Sequence, residues 1–468
     1  MNQARRSLSL WDLVVYGIVL IQPIAPVPPY GFAQQLSNGH FATTILIAMF
    51  AMMITAVSYG RMANVYPQAG SAYTYVGRGF NLHIGFLIGW AMFMDYLLQP
   101  LINTVLIAKV MIAQYLPQIP YVVWAAVLSA LFTGLNLIGV RSSARSNTVL
   151  LIAMFVIVFG FIVLALRFIL NAHGVAGLFS LAPFYDPKTF DWHTIWGATS
   201  FAALTYVGFD GITTLAEDAR DPKRTIMAAT VLTCAFTGVF GGLQVYLASI
   251  VWPAWQSFVD PNNAFMEIAN RVGGPILFNA MSVVVLIAAL GSALTGGLGA
   301  AKLLFGMGRD GVLPKRFFGY LRPGSTTPVL NMLLIGALTF IGALLLNIRG
   351  QAYENAGFVL NFGALLAFMG VNFATFWQFT IRRAPDARRN VATDAIVPLV
   401  GFVFCAAIWL NLNAYAKIVG GIWLALGIIY LAYATRGFRK PPATIDFALE
   451  KPSESGEGEL LLGDNLSA

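Results

Sequence analysis

Residues 22–29 read QPIAPVPP and residues 208–211 read GFDG, and each stretch interrupts an apolar segment long enough to cross a membrane. Proline has no backbone N–H and clashes with the preceding helical turn, while glycine lets the backbone leave helical geometry. In a bilayer, freed backbone groups are tolerated only where protein or a water-lined cavity satisfies them. The breaks fall in the first and sixth apolar segments, which are equivalent positions in two halves of five segments. This arrangement indicates the midplane binding site of a secondary transporter.

The composition is that of a membrane protein. Hydrophobic residues make up 58% of the chain, charged residues make up 10%, and the mean hydropathy is +0.73. Soluble globular domains contain about 45–50% apolar and about 25% charged residues. Twelve segments approach or exceed the roughly 20 residues that a spanning helix needs: 12–34, 41–64, 84–113, 120–140, 146–171, 193–217, 226–250, 275–305, 327–347, 357–380, 393–413 and 416–437. We therefore predict an all-α polytopic membrane protein and not a soluble enzyme.

The distribution of cations predicts the orientation. If both termini are cytoplasmic, 22 of the 28 Lys and Arg residues lie on the cytoplasmic side, as expected for a bacterial inner-membrane protein. The net charge of +8 then reflects cations that flank helices beside anionic lipid. We expect membrane lipid as a partner and no binding of nucleic acid. The distribution of cations does not predict an oligomeric state.

Histidines and cysteines give no sign of a metal site or a cofactor. The four histidines are scattered, and the two cysteines, Cys234 and Cys405, fall inside apolar segments, where a thiol usually serves as core filler. We predict neither a metal site nor a cofactor. After Lys440 the chain becomes acidic, and we expect a disordered tail.

Two of the twenty carboxylates fall deep inside apolar segments, Asp95 and Asp210. Asp95 lies about 16 Å from the predicted cytoplasmic end of its helix, at 1.5 Å per residue. A carboxylate at this depth costs at least about 2.5 kcal/mol, so it is expected to bind a cation, carry a proton or pair with another group. For Asp210, capping of the half-helix that follows the break is an equal alternative. For Asp95, the alternative is a structural pair with a neighbouring helix.

Several longer motifs allow a family to be recognised. They read AVSYGR at 56–61, YPQAGSAYTY at 66–75, NLHIGFLIGW at 81–90, GFDGITTLAEDARDPKRTI at 208–226, FGMGRDGVLP at 305–314 and NFGAL at 361–365. Together they resemble the amino acid, polyamine and organocation (APC) transporter superfamily, and among its members the bacterial putrescine importers most closely. The resemblance extends over about residues 7–440.

The resemblance implies a leucine-transporter-type fold and alternating access between two helix groups. Its helices 1–5 (12–171) and 6–10 (193–380) would form inverted repeats, helices 11 and 12 (393–437) would follow, and residues 1–11 and 438–468 would be cytoplasmic. Helices 1, 2, 6 and 7 would move against helices 3, 4, 8 and 9 around a fixed midplane site. The predicted substrate-binding residues are Gln22, Pro23, Ile24, Ala25, Pro26, Asp95, Tyr96, Tyr206, Gly208, Phe209, Asp210 and Asn361.

Charged residues on the predicted cytoplasmic side form a candidate gate. The cations are Arg61, Arg78 and Arg309, and the acids are Glu217, Asp218 and Asp221. Ion pairs among them would close the inner side. For any one arginine, an ordinary role in setting the topology is equally acceptable.

The proline-rich break predicts the substrate class. Amino-acid carriers of this superfamily usually have a glycine-rich break whose N–H groups bind the α-carboxylate. Prolines supply no such donors and leave carbonyl oxygens in excess, which suits an ammonium group. We therefore expect import of a small amine, putrescine or a relative. Pro28 stands where the putrescine importers resembled here carry an acid, which favours a monoamine, and an amino acid permease or exchanger is the alternative.

Energy coupling is expected to use protons. Met154 stands where many proton-coupled relatives carry a lysine, so that relay is excluded, and Asp95 and Asp210 become the candidate proton carriers. Sodium held by Ser292 and Thr295 is the alternative, although such hydroxyls often only bond within or between helices. A channel is disfavoured because no ring of pore-lining polar residues repeats. A membrane enzyme is disfavoured because no nucleophile and base fall together in the helices.

Overall fold

The computed structural model describes residues 8–66, 71–138, 144–216, 219–309, 311, 313–321, 327–347, 350–382 and 390–442. Fifteen α-helices make up these ranges: α1 (Leu10–Ile21), α2 (Tyr30–Leu36), α3 (Phe41–Val65), α4 (Ser71–Gly79), α5 (Leu82–Gln114), α6 (Tyr121–Ile138), α7 (Ala144–His173), α8 (Trp192–Ala202), α9 (Pro222–Val251), α10 (Ala264–Arg309), α11 (Lys315–Phe318), α12 (Val329–Leu346), α13 (Ala352–Phe376), α14 (Val397–Leu410) and α15 (Ala414–Ala434). Short 3-10 segments cover Val175–Phe179, Ala203–Tyr206, Phe209–Leu215 and Trp255–Ser257. Single π-helical turns cover Trp377–Ile381 and Ala392–Ile396.

The fold is the predicted all-helical membrane fold. Within the described ranges, ten helices are long and apolar enough to cross a membrane. The two interrupted segments, residues 10–36 and 192–215, bring the total to the twelve segments predicted from the sequence. α10 is longer than the predicted segment because a kink joins two helices at Gly274, whose φ is 65°, and Pro275. The predicted acidic tail lies outside the described residues beyond 442.

Local sequence explains how the first segment is built. Ser9 and Asp12 form a reciprocal capping box that starts α1. α1 ends at Gln22, which has a φ of 72°, and α2 begins only after Pro29. A non-glycine residue at positive φ is costly, so the surrounding structure must hold Gln22 in place. Its side-chain Nε2 donates to the carbonyl of Ala288 in α10 at 3.3 Å.

The sixth segment has a different break. Asp191 caps the start of α8 by accepting from the backbone N–H of Thr194 at 2.8 Å. The helix tightens into a 3-10 turn and stops before Gly208, which has a φ of 113°. Only glycine adopts this backbone conformation without strain. The chain then continues as the 3-10 segment Phe209–Leu215.

The helices pack in two groups. In the first, α3 lies along α9, and both contact α1, α8 or the 3-10 segment Phe209–Leu215. In the second, α5 packs against α10, and α6 and α12 complete the group. α13 packs mainly on α5 and also contacts α3, which places it between the groups. We call the end of the bundle that contains Leu8 and Lys440 the terminal face, and the end that contains His40 the opposite face.

Candidate functional site

The two breaks meet at the same place. The 3-10 segment Phe209–Leu215 packs against α1. A Cβ atom at Gly208 would lie 3.6 Å from the carbonyl oxygen of Leu20, and one at Gly211 would lie 2.6 Å from the Cδ1 atom of Leu20. Gly211 therefore permits the close approach, while Gly208 is needed for its backbone conformation. The breaks predicted from residues 22–29 and 208–211 thus form one irregular region between the helix groups.

The backbone of the first break offers very few free donors. Four of the residues 22–29 are prolines. The N–H of Gln22 donates to Ile18 at 2.8 Å, that of Ala25 to Gln22 at 3.0 Å, and that of Val27 to Ile24 at 2.9 Å. Within the described residues this leaves the N–H of Ile24 as the single backbone donor of the break without an acceptor. A convergent set of donors for a carboxylate therefore does not form here.

Carbonyl oxygens of the break face polar partners. The carbonyl of Pro23 accepts from Nε2 of Gln244 in α9 at 2.9 Å. Gln244 is fully buried, and it also donates to Phe240 in its own helix at 3.2 Å. Pro23, Ile24, Ala25 and Pro26 follow Gln22 in a series of turns, so the break presents carbonyl oxygens more than N–H groups. Such a backbone suits a cationic group.

Both deep carboxylates lie at this junction. Asp95 on α5 and Asp210 after the second break are each partly exposed and are close enough to interact electrostatically. The carboxylate of Asp210 also interacts with the Ser71 hydroxyl and the backbone N–H of Gly211. The 3-10 segment that contains Asp210 has no side-chain cap hydrogen bond at its start. The nearby Ser71 and Gly211 leave both the capping and the ligand interpretation of Asp210 open.

Asp95 is held by a directed series of hydrogen bonds. Nδ2 of Asn103 donates to Oγ of Ser292 at 3.1 Å. The Ser292 hydroxyl donates to Oε1 of Gln99 at 2.9 Å, which leaves Nε2 of Gln99 to donate to Oδ1 of Asp95 at 3.4 Å. Asn103 donates to Ser292 and Ser292 donates to the amide oxygen of Gln99, so the NH₂ group of Gln99 must point to Asp95. We call Asn103, Ser292 and Gln99 the α5–α10 relay.

Tyr96 of α5 lies at the space between the two helix groups. Its side chain is 39% exposed although it lies near the middle of the 33-residue helix α5. Its ring lies against α10, since a Cβ at Gly299 would be 3.2 Å from Cδ1 of Tyr96. It also interacts electrostatically with Tyr16 of α1 and with Asp210. The exposed part of Tyr96 therefore faces the space between the two helix groups.

Three other predicted site residues hold the sixth segment in place. Tyr206 is fully buried, and its hydroxyl donates to the carbonyl of Ile45 at 2.9 Å. Nδ2 of Asn361 donates to the carbonyl of Ser200 at 2.8 Å, near the end of α8. Phe209 is also fully buried and packs on Phe368 with ring centroids 5.0 Å apart. The structure brings these residues to the second break but packs their side chains into the protein.

The two hydroxyls predicted for sodium have different surroundings. Ser292 is a member of the α5–α10 relay. Thr295, one turn further along α10, is exposed and donates to the carbonyl of Gly291 at 2.9 Å. Thr295 therefore bonds within its own helix, which was the alternative interpretation for such hydroxyls.

Among the predicted gate residues, Arg61 has a partner outside the predicted set. Arg61 forms an ion pair with Asp394 and stacks on the ring of Phe379 with its Cζ atom 4.3 Å from the centroid. Arg61 was expected to pair with the acids at 217, 218 or 221, and the sequence analysis did not single out Asp394. Asp221 lies 3.9 Å from Arg224, and Arg78 is exposed. Arg309 lies partly buried at the end of α10, and Glu217 and Asp218 lie outside the described residues.

The opposite face is closed by aromatic side chains. Phe32 of α2, Phe201 of α8 and Phe358 of α13 form a cluster, with centroids 4.9 Å apart for the first two and 5.0 Å for the last two. Beside it, Nζ of Lys109 lies 3.4 Å from Oε2 of Glu354, which links α5 to α13. These contacts join α2, α8, α5 and α13 on the opposite face, whereas Tyr96 is exposed between the helix groups.

Sequence reasoning missed the residues that organise the site. Gln99, Asn103 and Gln244 are uncharged polar residues inside apolar helices, and Asp394 lies at the start of the eleventh segment. Uncharged polar residues in membrane helices often bond across helices, so the presence of these residues inside apolar segments is a signal for such contacts. Their spacing of four residues, Gln99 to Asn103, places both on one face of α5.

Comparisons with known proteins identify the family. The model of the amino acid permease family matches residues 10–446. The chain therefore belongs to the amino acid permease family, within the APC superfamily, and it is a transporter and not an enzyme.

Its relatives include transporters of two substrate types. The low-affinity putrescine importer PlaP of Escherichia coli (strain K12) is 33% identical over 443 residues, which cover 94% of this chain and 96% of PlaP. The branched-chain amino acid permease BcaP of Lactococcus lactis subsp. cremoris (strain MG1363) is 26% identical, with 92% of this chain and 95% of BcaP covered. The uncharacterized transporter Rv1999c of Mycobacterium tuberculosis (strain ATCC 25618 / H37Rv) is also 26% identical and covers 93% of this chain and 92% of its own length.

Proposed function

We propose that this permease imports a small organic amine, putrescine or a related polyamine or monoamine. The observation that carries the proposal is the pair of carboxylates, Asp95 and Asp210, beside a break with one free backbone donor. An ammonium group needs acceptors, and carboxylates and carbonyl oxygens supply them. The similarity to a putrescine importer over 94% of the chain supports the same substrate class.

Two carboxylates at one site suit a diamine in particular. One ammonium group of the diamine would bind at Asp95 and the second near Asp210, so that each has an anionic partner. This second carboxylate would take the role of the acid that the putrescine importers carry at the position of Pro28. A monoamine would use one carboxylate and leave the other available for a proton. The α5–α10 relay supports the first role for Asp95, because it orients one oxygen of that carboxylate and leaves the other for the substrate.

The packing supports alternating access from a state open to the terminal face. The aromatic cluster Phe32, Phe201 and Phe358 covers the opposite face, and Tyr96 is exposed between the helix groups. We take the terminal face as cytoplasmic, in agreement with the cation distribution. Rocking of the group α1, α3, α8 and α9 against the group α5, α6, α10 and α12 would then open the other side.

Proton coupling fits the site better than sodium coupling. A proton on Asp95 or Asp210 would relieve the repulsion between the two carboxylates when no amine is bound. The Ser292 oxygen accepts from Nδ2 of Asn103 at 3.1 Å, which uses a lone pair that sodium would need, and Thr295 is exposed and bonds within its own helix. Met154 is buried at the position of the relay lysine and cannot exchange a proton.

An amino acid permease is the second candidate function. The 26% identity to a branched-chain amino acid permease and the free N–H of Ile24 favour it. A single backbone donor satisfies an α-carboxylate poorly, because a buried anion without donors costs about 1–3 kcal/mol or more.

Competition for uptake distinguishes the two functions. The full-length protein is reconstituted in liposomes, and uptake of labelled putrescine is measured at fixed pH and membrane potential with putrescine, butylamine, ornithine or leucine as competitor. We expect the amines to compete better than ornithine by about 5-fold or more, which corresponds to about 1 kcal/mol. Saturation and counterflow would identify a carrier. Ornithine or leucine outcompeting both amines would contradict the proposal and favour the amino acid permease.

A further inference from the structure

A small cavity, lined mainly by apolar atoms with a few hydroxyls, lies inside the group formed by α5, α6, α10 and α12. Its lining includes Pro100 of α5, Ser129, Thr133 and Asn136 of α6, and Gly336 and Thr339 of α12. The residues of α6 are spaced by four and three positions and therefore share one helix face. The cavity has room for about one water-sized molecule.

Two buried hydroxyls line this cavity without partners. Ser129 is 4% exposed and Thr339 is 2% exposed. Neither Oγ of Ser129 nor Oγ1 of Thr339 has a hydrogen-bond partner among the described residues. An unsatisfied buried hydroxyl costs about 1–3 kcal/mol, so two such groups around one cavity call for a shared partner.

The other polar groups of the cavity restrict what this partner is. Thr133 Oγ1 donates to the carbonyl of Ser129 at 2.7 Å, and Nδ2 of Asn136 donates to the carbonyl of Leu294 at 3.2 Å. The proton of Thr133 is therefore used, but its hydroxyl oxygen can still accept. The lining thus contains two hydroxyls that need an acceptor together with a hydroxyl oxygen that can accept from a donor.

We propose that this cavity binds one buried water molecule that bridges Ser129 and Thr339. Water accepts from the hydroxyls and donates to a lining oxygen such as Oγ1 of Thr133, whose own proton goes to the carbonyl of Ser129. A sodium ion accepts no hydrogen bond, so it would leave both hydroxyl protons unsatisfied, and no carboxylate lines the cavity to balance its charge. The water links α6 to α12 beside Pro100 of α5.

A double-mutant cycle on the purified full-length protein tests the shared water. We expect Ser129→Ala and Thr339→Val each to lower Tm by about 1–3 °C, and the double variant to shift Tm no further than the larger single change. Thr44→Val is the matched control, because its hydroxyl is buried and bonds to Phe41 in its own helix at 2.9 Å. We expect Ser129→Ala and Thr339→Val to lower Tm by more than Thr44→Val does.

Two opposite results would overturn the proposal. A rise in Tm on removing either hydroxyl would show that the groups are unsatisfied, and additive shifts would show that they share no ligand. If Thr339→Val does not fold, Thr339→Ala replaces it in the cycle, and Thr339→Ser, which keeps the hydroxyl, is expected to match the wild type. All measurements are repeated in NaCl and KCl at equal ionic strength. Equal Tm values in the two salts are expected, and a rise with Na⁺ that Thr339→Val removes would identify an ion instead of water.

Discussion

Asp95→Asn tests the central contact of the proposed amine site. The amide has nearly the same size as the carboxylate and loses the charge that binds an ammonium group. Gln99 donates to Oδ1 of Asp95 at 3.4 Å, so an asparagine with its oxygen toward Gln99 keeps that bond and presents an NH₂ group to the substrate. The donor-to-donor contact that results is repulsive for an amine.

The size of the effect follows from the interaction that is lost. A hydrogen bond to a charged group contributes about 1.5–3 kcal/mol. At 1.4 kcal/mol per factor of ten, the Kd for putrescine is expected to rise about 10- to 100-fold. Removing a deep carboxylate should not harm insertion into the membrane, so expression and Tm should stay near wild type or increase.

Binding of labelled putrescine to the purified protein in detergent is the assay. Asp191→Asn is the matched control, because it makes the same change at an exposed helix start where asparagine caps equally well. Its Kd should equal that of the wild type. A Kd for Asp95→Asn within twofold of the wild type would refute the role of Asp95 as the amine ligand.

Three further outcomes follow from the site and its surroundings. Gly208→Leu should abolish putrescine binding while expression persists, because a φ of 113° strains any residue with a side chain. Gly160→Leu serves as the control, because a Cβ at Gly160 meets no atom within 4 Å. Unchanged affinity of Gly208→Leu for putrescine would place the binding site elsewhere. Gln99→Leu should raise the Kd for putrescine several-fold, less than Asp95→Asn, and an equal or larger effect would assign Gln99 a direct contact instead of orientation of Asp95. Burial lowers the pKa of His40, so as the pH falls the unfolded chain binds this proton before the folded protein does. Tm should therefore be fully maintained above the ordinary histidine pKa of about 6.5 and fall as the pH drops below it. His40→Gln should reduce this loss of Tm, and identical profiles of Tm against pH for the variant and the wild type would contradict the prediction.

The sequence by itself determined the class of protein and the positions of the breaks. Apolar length and cation placement depend on composition along the chain, and the bilayer imposes a backbone rule that local residues must meet. The four prolines within residues 22–29 remove helical donors, and Gly208 and Gly211 permit non-helical backbone. Asp95 and Asp210 were recognisable because a charge at membrane depth is costly in any arrangement.

Tertiary structure alone decided how those residues are supported. The relay from Asn103 through Ser292 to Gln99 joins α5 to α10, and its direction depends on the rotation of both helices. Arg61 binds Asp394, more than 300 positions away in the chain. Asn361 and Tyr206 support the second break from buried positions. Such contacts depend on which helix faces meet, and periodicity in an almost uniformly apolar segment does not determine that rotation.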